Sequence, residues 1–534
     1  MNILISAAAR AQAARFRARD PLRRQSEIFH RLITRARDTR FGRDHGFADF
    51  AALPFDRALR CYQRNVPIRS YADFWRDYFA VHFSDNNGQP RLNLDNVTWP
   101  GRFPWYCETS GTTTPTKFIP FSNEMFAENR RAALDLTACY LAGNPSSRLM
   151  GGKVLYMAGS TLLKDVGEGA WSGDMSAITL RNHPWYLRPF VAPDTATSSL
   201  PWEERLDKMA RLLLTGDTIR AISGVPPWIL LLLKRCSEMG GKQVSLLLPH
   251  LELIIHGGTG MKPYKSEFQR LFGETAPAFL ELLPSSEAFM AFQLPGEKLM
   301  RFTPYYGVFF EFVPFEALDE RGTTPPGAGT VTLAKVEIGR RYAVILSTCS
   351  GLWRYHLGDT LRFVSRDPLL IEFTGRDRFL DRFEEKVTQG EVEESVEELN
   401  RQQGVAVREF MVGAHIPGRR HLWVLEASNV NDCDEGFLAD HLDTSLCRRN
   451  ADYAAFRSQG RIKSPLVVMA DEGTIYAWSK YYRGKLGGQS KIPHIDPTPD
   501  GEMVAVLADY AQKNAKGRDG AWGGKERTSS LHAA

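Results

Sequence analysis

Five short apolar runs leave this chain few ways to fold: VLYMAG (154–159), LELIIHGG (251–258), AFLELLPSSE (278–287), VFFEFVP (308–314) and RYAVILSTCSG (341–351). Each is rich in β-branched or apolar residues and ends on residues that stop a strand. Such unbroken apolar runs belong to strands covered on both faces. Helix-like stretches separate them from about 95 to 375. The pattern therefore predicts an α/β fold with a multi-layer sheet. Open α/β sheets bind ligands at strand ends, which is where the glycines and serines of these runs collect.

Residues 1–80 read mostly as helix; IFHRLITRARDTRFGRDHG has apolar residues at helical spacing and ends on glycine. A boundary is expected between 376 and 390, where GRDRFLDRFEEKVTQGEVEESVEELN is charge-dense and turns into an acidic helix. Beyond it, EFMVGAHI, HLWVLEAS and a following helix read as a smaller α+β unit. The expected division is a large N-terminal α/β domain over 1–376, a smaller C-terminal α+β domain over 377–515, and a polar, glycine-rich tail over 516–534.

Composition excludes several classes of function. The 67 basic and 62 acidic residues of this 534-residue chain leave a net charge of +5, which is no nucleic-acid footprint. One local excess stands out: Arg10, Arg15, Arg17, Arg19, Arg23 and Arg24 crowd the start. An Arg-rich helical face is ordinarily solvated surface; a transit peptide and an anion-binding patch are the alternatives. No apolar run approaches the roughly 20 residues of a membrane span, and MNILISAAARAQA, which has no basic lead, reads as the first turns of a helix. The seven cysteines are widely spaced without a CxxC pair, which suits reduced thiols in a cytoplasm.

The chemistry-bearing stretch is YCETSGTTTPTKFIPFS (106–122). Gly111 permits a tight turn, and Ser110, Thr112, Thr113 and Thr114 offer donors for phosphate oxygens. Lys117 adds a charge-assisted contact. The nucleotide-hydrolase template GxxxxGK[ST] fails at two anchors, since Thr116 stands at its second glycine and Phe118 follows the lysine. The alternatives are a phosphate loop of the adenylate-forming kind and an ordinary polar turn. Farther on, His256, Gly257, Gly258, Thr259 and Gly260 close a strand, where a flat ring can approach the backbone or a turn simply ends it. Ser286 and Glu287 suit a phosphate oxygen and a Mg²⁺ ion, or equally a helix N-cap with an acidic first turn. Asp359 can accept both hydroxyls of a ribose, or belong to a Gly-Asp turn. Arg376 can reach ribose or phosphate beside a hinge. Lys491, in KLGGQSKIPHI, suits charge neutralisation at an α-phosphate. The run Trp353-Arg354-Tyr355-His356 has no evident structural reason in sequence.

In order, TSGTTTPTK, SSE, GLWRYHLGD, FTGRD and the late GQSKIP resemble the auxin-responsive acyl-acid amido synthetases (the Gretchen Hagen family), a branch of the adenylate-forming superfamily. TRFGRDHGF, VPIRSYADF and FFEFVP are similar to framework segments of that family, so the likeness runs from about 30 to 495. It implies an N-terminal adenylation domain and a mobile C-terminal cap that rotates between two half-reactions. Carboxylic acid and ATP with Mg²⁺ give acyl-adenylate and pyrophosphate; an amine, usually an amino acid, then takes the acyl group and AMP leaves. It also implies roles: Ser110, Gly111, Thr112, Thr113 and Lys117 for phosphate; Ser286 for nucleotide; Glu287 for Mg²⁺; Asp359 for ribose; Arg376 beside the hinge; and Lys491 in adenylation. NEMFAENRRAALD (123–135) reads as a helix that, in the family, helps wall the acyl pocket. Arg130 or Arg131 there can pair with the acid, or simply face solvent.

Four residues depart from the family pattern: Pro115 for a glycine, Leu283-Pro284 for an aromatic lead to Ser-Ser-Glu, His356 for an arginine, and Arg378 for Asn or Asp. They put the loop's bend and the adenine platform in question. Besides the amido synthetase, two readings stand: an acyl-CoA ligase with the same first step, and a nucleotide- or acyl-binding protein without chemistry.

Overall fold

A computed structural model describes residues 3–86, 89–109, 117–159, 162–183, 187–216, 218–261, 264–319, 322–325, 327–376, 379–428, 434–483, 492–498 and 500–515. Two compact units emerge, one comprising the residues up to Phe379 and the other mainly those from Glu391 onward.

The first unit opens with helices Ile3–Arg17 and Pro21–Ala36. Asp20 caps the second, accepting from the amides of Leu22 and Arg23. Its buried face (Ile28, Phe29, Leu32, Ile33) packs into the main core with Phe41, Phe47, Tyr62 and Phe309. The predicted strands are all present, in one twelve-stranded sheet. Five of its strands are parallel: Ala278–Pro284, Leu253–Gly257, Ile219–Gly224, Lys153–Tyr156 and Val191–Ala192 lie side by side. The rest is antiparallel and runs through Phe289–Gln293, Met300–Phe302, Leu369–Arg376, Tyr355–Arg366, Arg341–Thr348, Val308–Pro314 and Val331–Thr332. WILLLL lies in the helix Pro226–Gly240, with Trp228, Ile229, Leu230, Leu232 and Leu233 buried. A separate sheet pairs Trp105–Thr109 with Lys117–Phe121 and leads into the helix Asn123–Gly143, capped by Ser122.

The run Trp353-Arg354-Tyr355-His356 does have a structural reason. Trp353 is fully buried, and its indole N–H donates to the Thr98 carbonyl at 2.9 Å. Arg354 is buried as well and uses all five guanidinium donors. Nε and Nη2 meet the Glu311 carboxylate at 3.1 and 3.2 Å, Nη1 meets the carbonyls of Gln63 and Val66 at 3.0 and 2.8 Å, and Nη2 also reaches Thr330 at 3.0 Å. This one side chain ties the end of the helix Phe55–Asn65 to the sheet.

The second unit holds a three-stranded sheet, Ala406–His415, Arg420–Ser428 and Leu466–Ala470, with helices Gln389–Gln403, Glu435–Arg449, Thr474–Arg483 and Glu502–Ala515. Val412, Trp423, Leu425, Leu438 and Leu442 form its core. The segment from His494 to Asp496 is pinned along the strand Ala406–His415. Val412 N–H donates to the His494 carbonyl, and the His494 ring stacks on Phe410 at 4.1 Å. His494 Nδ1 contacts Glu393 Oε1 at 2.8 Å. Burial disfavours the charged imidazole, but Glu393, with Glu409 nearby, outweighs it and raises the His494 pKa. Stabilisation from the charged ring is therefore complete below the ordinary histidine value and fades as pH rises through the raised one. His494→Gln is expected to lower stability by about 2 kcal/mol near pH 6, and by less near pH 9. Thermal unfolding of parent and variant across that range checks the sign; a loss that grows with pH would contradict it.

Candidate active site

Three separate segments of the first unit bring predicted residues around Glu287. The first is the turn between Ala278–Pro284 and Phe289–Gln293, two antiparallel strands whose register shifts at Leu283/Pro284. Ser285 closes this turn: its hydroxyl accepts from the amides of Glu287 and Ala288 at 3.3 and 3.0 Å. Ser286 and Glu287 thus sit on a hairpin turn, not at the helix N-cap that their sequence equally allowed. The second segment is the hairpin Tyr355–Arg366/Leu369–Arg376, where Asp359 and Arg376 are cross-strand partners. Each follows a glycine with positive φ, Gly358 at 85° and Gly375 at 92°. Only glycine adopts such angles without strain, and they re-aim the side chain that follows. Arg376 Nε lies 3.2 Å from Asp359 Oδ1. Asp359 lies not in a Gly-Asp turn, which its sequence allowed, but inside a twelve-residue strand.

The third segment is Lys117, first residue of its strand and cross-strand partner of Thr109. Its ammonium sits 5.5 Å from the centre of the Tyr71 ring, and the Tyr71 hydroxyl accepts from the Phe118 amide at 2.8 Å.

Electrostatics join the segments. Burial raises the Glu287 pKa; Arg376 and Lys117 pull it down, Asp359 pushes it up, and the net shift is upward. The Tyr355 hydroxyl donates to Glu287 Oε1 at 3.4 Å, and burial together with Glu287 holds that phenol far above its usual range, so it stays a donor. Tyr71 was not singled out in sequence, and Tyr355 was named only within its aromatic-basic run, with no role given to it. Cys107, beside the cluster, is buried and its thiol is pushed well up, so it is an inert core residue.

No group of three or more His, Cys, Asp or Glu arranged for a metal ion occurs among the described residues. A Mg²⁺ that arrives with a triphosphate needs no such cage, because one or two carboxylates and phosphate oxygens suffice. The half-buried carboxylate of Glu287 fits that donor set.

Ser110, Gly111, Thr112, Thr113, Pro115, Arg378 and Lys491 fall outside the described residues. Arg130 and Arg131 are both exposed, and Arg131 pairs with Glu128 at 3.1 Å. Leu283 is buried in the main core. His256 is buried in its strand, and burial lowers its pKa to about 4. His356 contacts the Thr324 hydroxyl through Nδ1 at 3.2 Å.

Two kinds of solved ligase share this fold. The AtGH3.15 acyl acid amido synthetase in complex with 2,4-DB matches with a TM-score of 0.73 at 16% identity, covering 95% of this chain and 96% of that one. A 2-hydroxyisobutyryl-CoA ligase in the postadenylation state matches with a TM-score of 0.57 at 13% identity, covering 92% and 91%. The fold is thus one used by both amide- and thioester-forming acid ligases. Sequence separates these two lines. The GH3 family N-terminal domain matches residues 12–216, the GH3 family central domain 302–376 and the GH3 family C-terminal domain 389–499. The chain belongs to the GH3 family.

Among curated relatives, the probable indole-3-acetic acid-amido synthetase GH3.9 of Oryza sativa subsp. japonica is 30% identical over 245 residues, 40% of this chain and 53% of that protein. Indole-3-acetic acid-amido synthetase GH3.4 of Arabidopsis thaliana is 29% identical over 209 residues, 36% of this chain and 34% of that protein. The matches span about half of the first relative's length and a third of the second's.

Proposed function

We propose that this chain is an ATP- and Mg²⁺-dependent ligase that adenylates a small carboxylic acid and transfers the acyl group to an amine, an amino acid in the leading reading. The convergence of Lys117, Asp359 and Arg376 on Glu287 carries the proposal, because it gathers groups whose chemistry suits phosphate, ribose and a metal ion from distant parts of the sequence. In the first step the acid's carboxylate oxygen attacks the α-phosphorus of ATP and pyrophosphate leaves. In the second, the amine nitrogen attacks the acyl carbon, AMP leaves and the amine loses a proton. Mg²⁺, when bound, neutralises triphosphate oxygens.

Lys117, with Ser110, Gly111, Thr112, Thr113 and Ser286, is assigned to the phosphates. Glu287 is assigned to the metal and held by Tyr355. Asp359 is assigned to the ribose, with Arg376 fixing its carboxylate. Lys491 is assigned to the α-phosphate during attack. The acid's pocket stays with the helix Asn123–Gly143, whose Arg130 and Arg131 are the candidates for its polar contacts. The enzyme's contribution is mostly positioning and charge neutralisation. No helix among the described residues is long and apolar enough to cross a membrane. The six described cysteines are free, which suits a reducing cytoplasm.

Exchange of labelled pyrophosphate into ATP, dependent on one of a panel of aryl, indole and alkyl acids, is the expected result. Silence across the panel, with no ATP binding, would overturn the proposal. The product's mass with amino acids, hydroxylamine or coenzyme A separates amide from thioester formation.

A further inference from the structure

The sheet face beneath the helix Asn123–Gly143 changes character toward the strand ends. Ala132 and Leu136 of that helix share a buried core with Ala221, Leu253 and Leu280, and Val154 packs against it. Side chains alternate along a strand, so the next positions on the same face are Tyr156, Ser223, Ile255 and Leu282. All four are only half-buried, although each of their strands has a neighbour on both sides. This partly uncovered row lies at the carboxyl ends of parallel strands, where open α/β sheets bind ligands.

The row is graded from apolar to polar. Tyr156, Ser223 and Ile255 are in register on three neighbouring strands, and Leu282 stands one strand farther on, opposite Gly257. Leu282 and Ile255 form the apolar end, on the side of the strand Ala278–Pro284 that runs into the turn of Ser286 and Glu287. Ser223 and Tyr156 form the polar end, two and three strand spacings away, roughly 10 and 14 Å. An aryl-alkanoic or medium-chain acid is long enough to lie across that row.

The polar end leaves a donor over. Ser223 is the hydrogen-bonding neighbour of the Tyr156 phenol. One bond between two hydroxyls uses one of their two protons, so the pair keeps the other for a third group. Burial raises the Tyr156 pKa, and no charged side chain among the described residues takes part in that shift. The phenol therefore stays protonated in neutral surroundings, where a second carboxylate or an ammonium would meet no counter-charge. A neutral oxygen suits the pair. We propose that Tyr156 and Ser223 set the choice of acid by hydrogen-bonding a hydroxyl or ether oxygen at the end remote from its carboxyl, with the apolar body over Ile255 and Leu282. Which end reacts rests on the ligase reading; the binding contacts do not.

The test compares matched acids: phenylpropanoic acid with its para-hydroxy and para-methoxy derivatives, and octanoic acid with its terminal hydroxy and dicarboxylic derivatives. Pyrophosphate exchange is measured with each. So is calorimetric binding to the full chain, with and without a non-hydrolysable ATP analogue. In at least one set the neutral oxygenated acid is expected to exceed the plain acid about tenfold or more, in kcat/KM and in affinity, with the dicarboxylic acid below both. Tyr156→Phe and Ser223→Ala, both close in shape to the parent, are each expected to bring that ratio to within about threefold of unity. Equal exchange and equal binding across both sets would overturn the proposal. So would a ratio that survives both variants, a preference for the dicarboxylic acid, or no saturable binding of any acid. Silent exchange alone would count against the ligase reading, and the calorimetric ratios would still decide the role of Tyr156 and Ser223.

Discussion

Arg354→Ala is expected to lower the stability of the first unit by about 3–5 kcal/mol, a large part of the roughly 5–15 kcal/mol that holds a typical protein folded. The reason lies in what is left behind. Glu311 is 1% exposed at its side chain and would keep a buried charge without its cation. The carbonyls of Gln63 and Val66 would lose their donor in the same place. Arg354 also sits at a φ of 43°, uncommon for a residue with a side chain, so its contacts hold a strained backbone in position. A buried ion pair is seldom better than a packed apolar pair, but half of one is far worse than either. Arg354→Met combined with Glu311→Leu is therefore expected to recover much of what Arg354→Ala loses. Urea unfolding of the variants decides it; a single-variant loss under about 1 kcal/mol would show that water or a rearranged neighbour satisfies Glu311.

That residue also marks where reading the sequence stops. The strands were legible because VFFEFVP and RYAVILSTCSG can only be buried, and the helix Pro21–Ala36 because its apolar residues recur at helical spacing. The partner of Arg354 was not legible. Glu311 sits inside the apolar run and is 43 positions away, so only the pairing of strands reveals it. Other strands of the antiparallel part of the sheet were hidden for a related reason. Tyr355–Arg366 carries Gly358, Asp359 and Arg362, which look like a turn, yet Gly358 serves as a kink within the strand. Ser286 and Glu287 fit a helix cap and a hairpin turn equally well. What decides is the next segment, Phe289–Gln293, which pairs back on Ala278–Pro284. The set Lys117, Glu287, Asp359 and Arg376 was legible as ordered motifs. Tyr71 and Tyr355 were not, because a tyrosine that holds a neighbour has no motif of its own.

Glu287→Gln is expected to reduce pyrophosphate exchange by roughly 10²–10³-fold and to raise the Mg²⁺ concentration needed for the remaining activity. The glutamine keeps an oxygen for the Tyr355 hydroxyl and nearly the same volume, so the hairpin turn should stay in place. What it lacks is charge. Burial, with Asp359 nearby, makes the Glu287 carboxylate costly, and Arg376 and Lys117 offset only part of that cost. A divalent cation would relieve the remainder, so removing the charge removes the site's reason to bind one. Lys491→Ala, on the role proposed for it, gives a different signature. Its charge would act on the α-phosphate only as attack proceeds, so the rate at saturating ATP should fall strongly while ATP affinity barely moves. Measuring exchange rate and ATP binding against Mg²⁺ for both variants separates the two roles. A Glu287→Gln enzyme within about threefold of the parent would remove Glu287 from the metal's first contacts. An unchanged rate for Lys491→Ala would remove the lysine from adenylation. If both variants instead lost ATP binding equally, the two residues would share one role in holding the nucleotide, and the division between metal ligand and transition-state cation would fail.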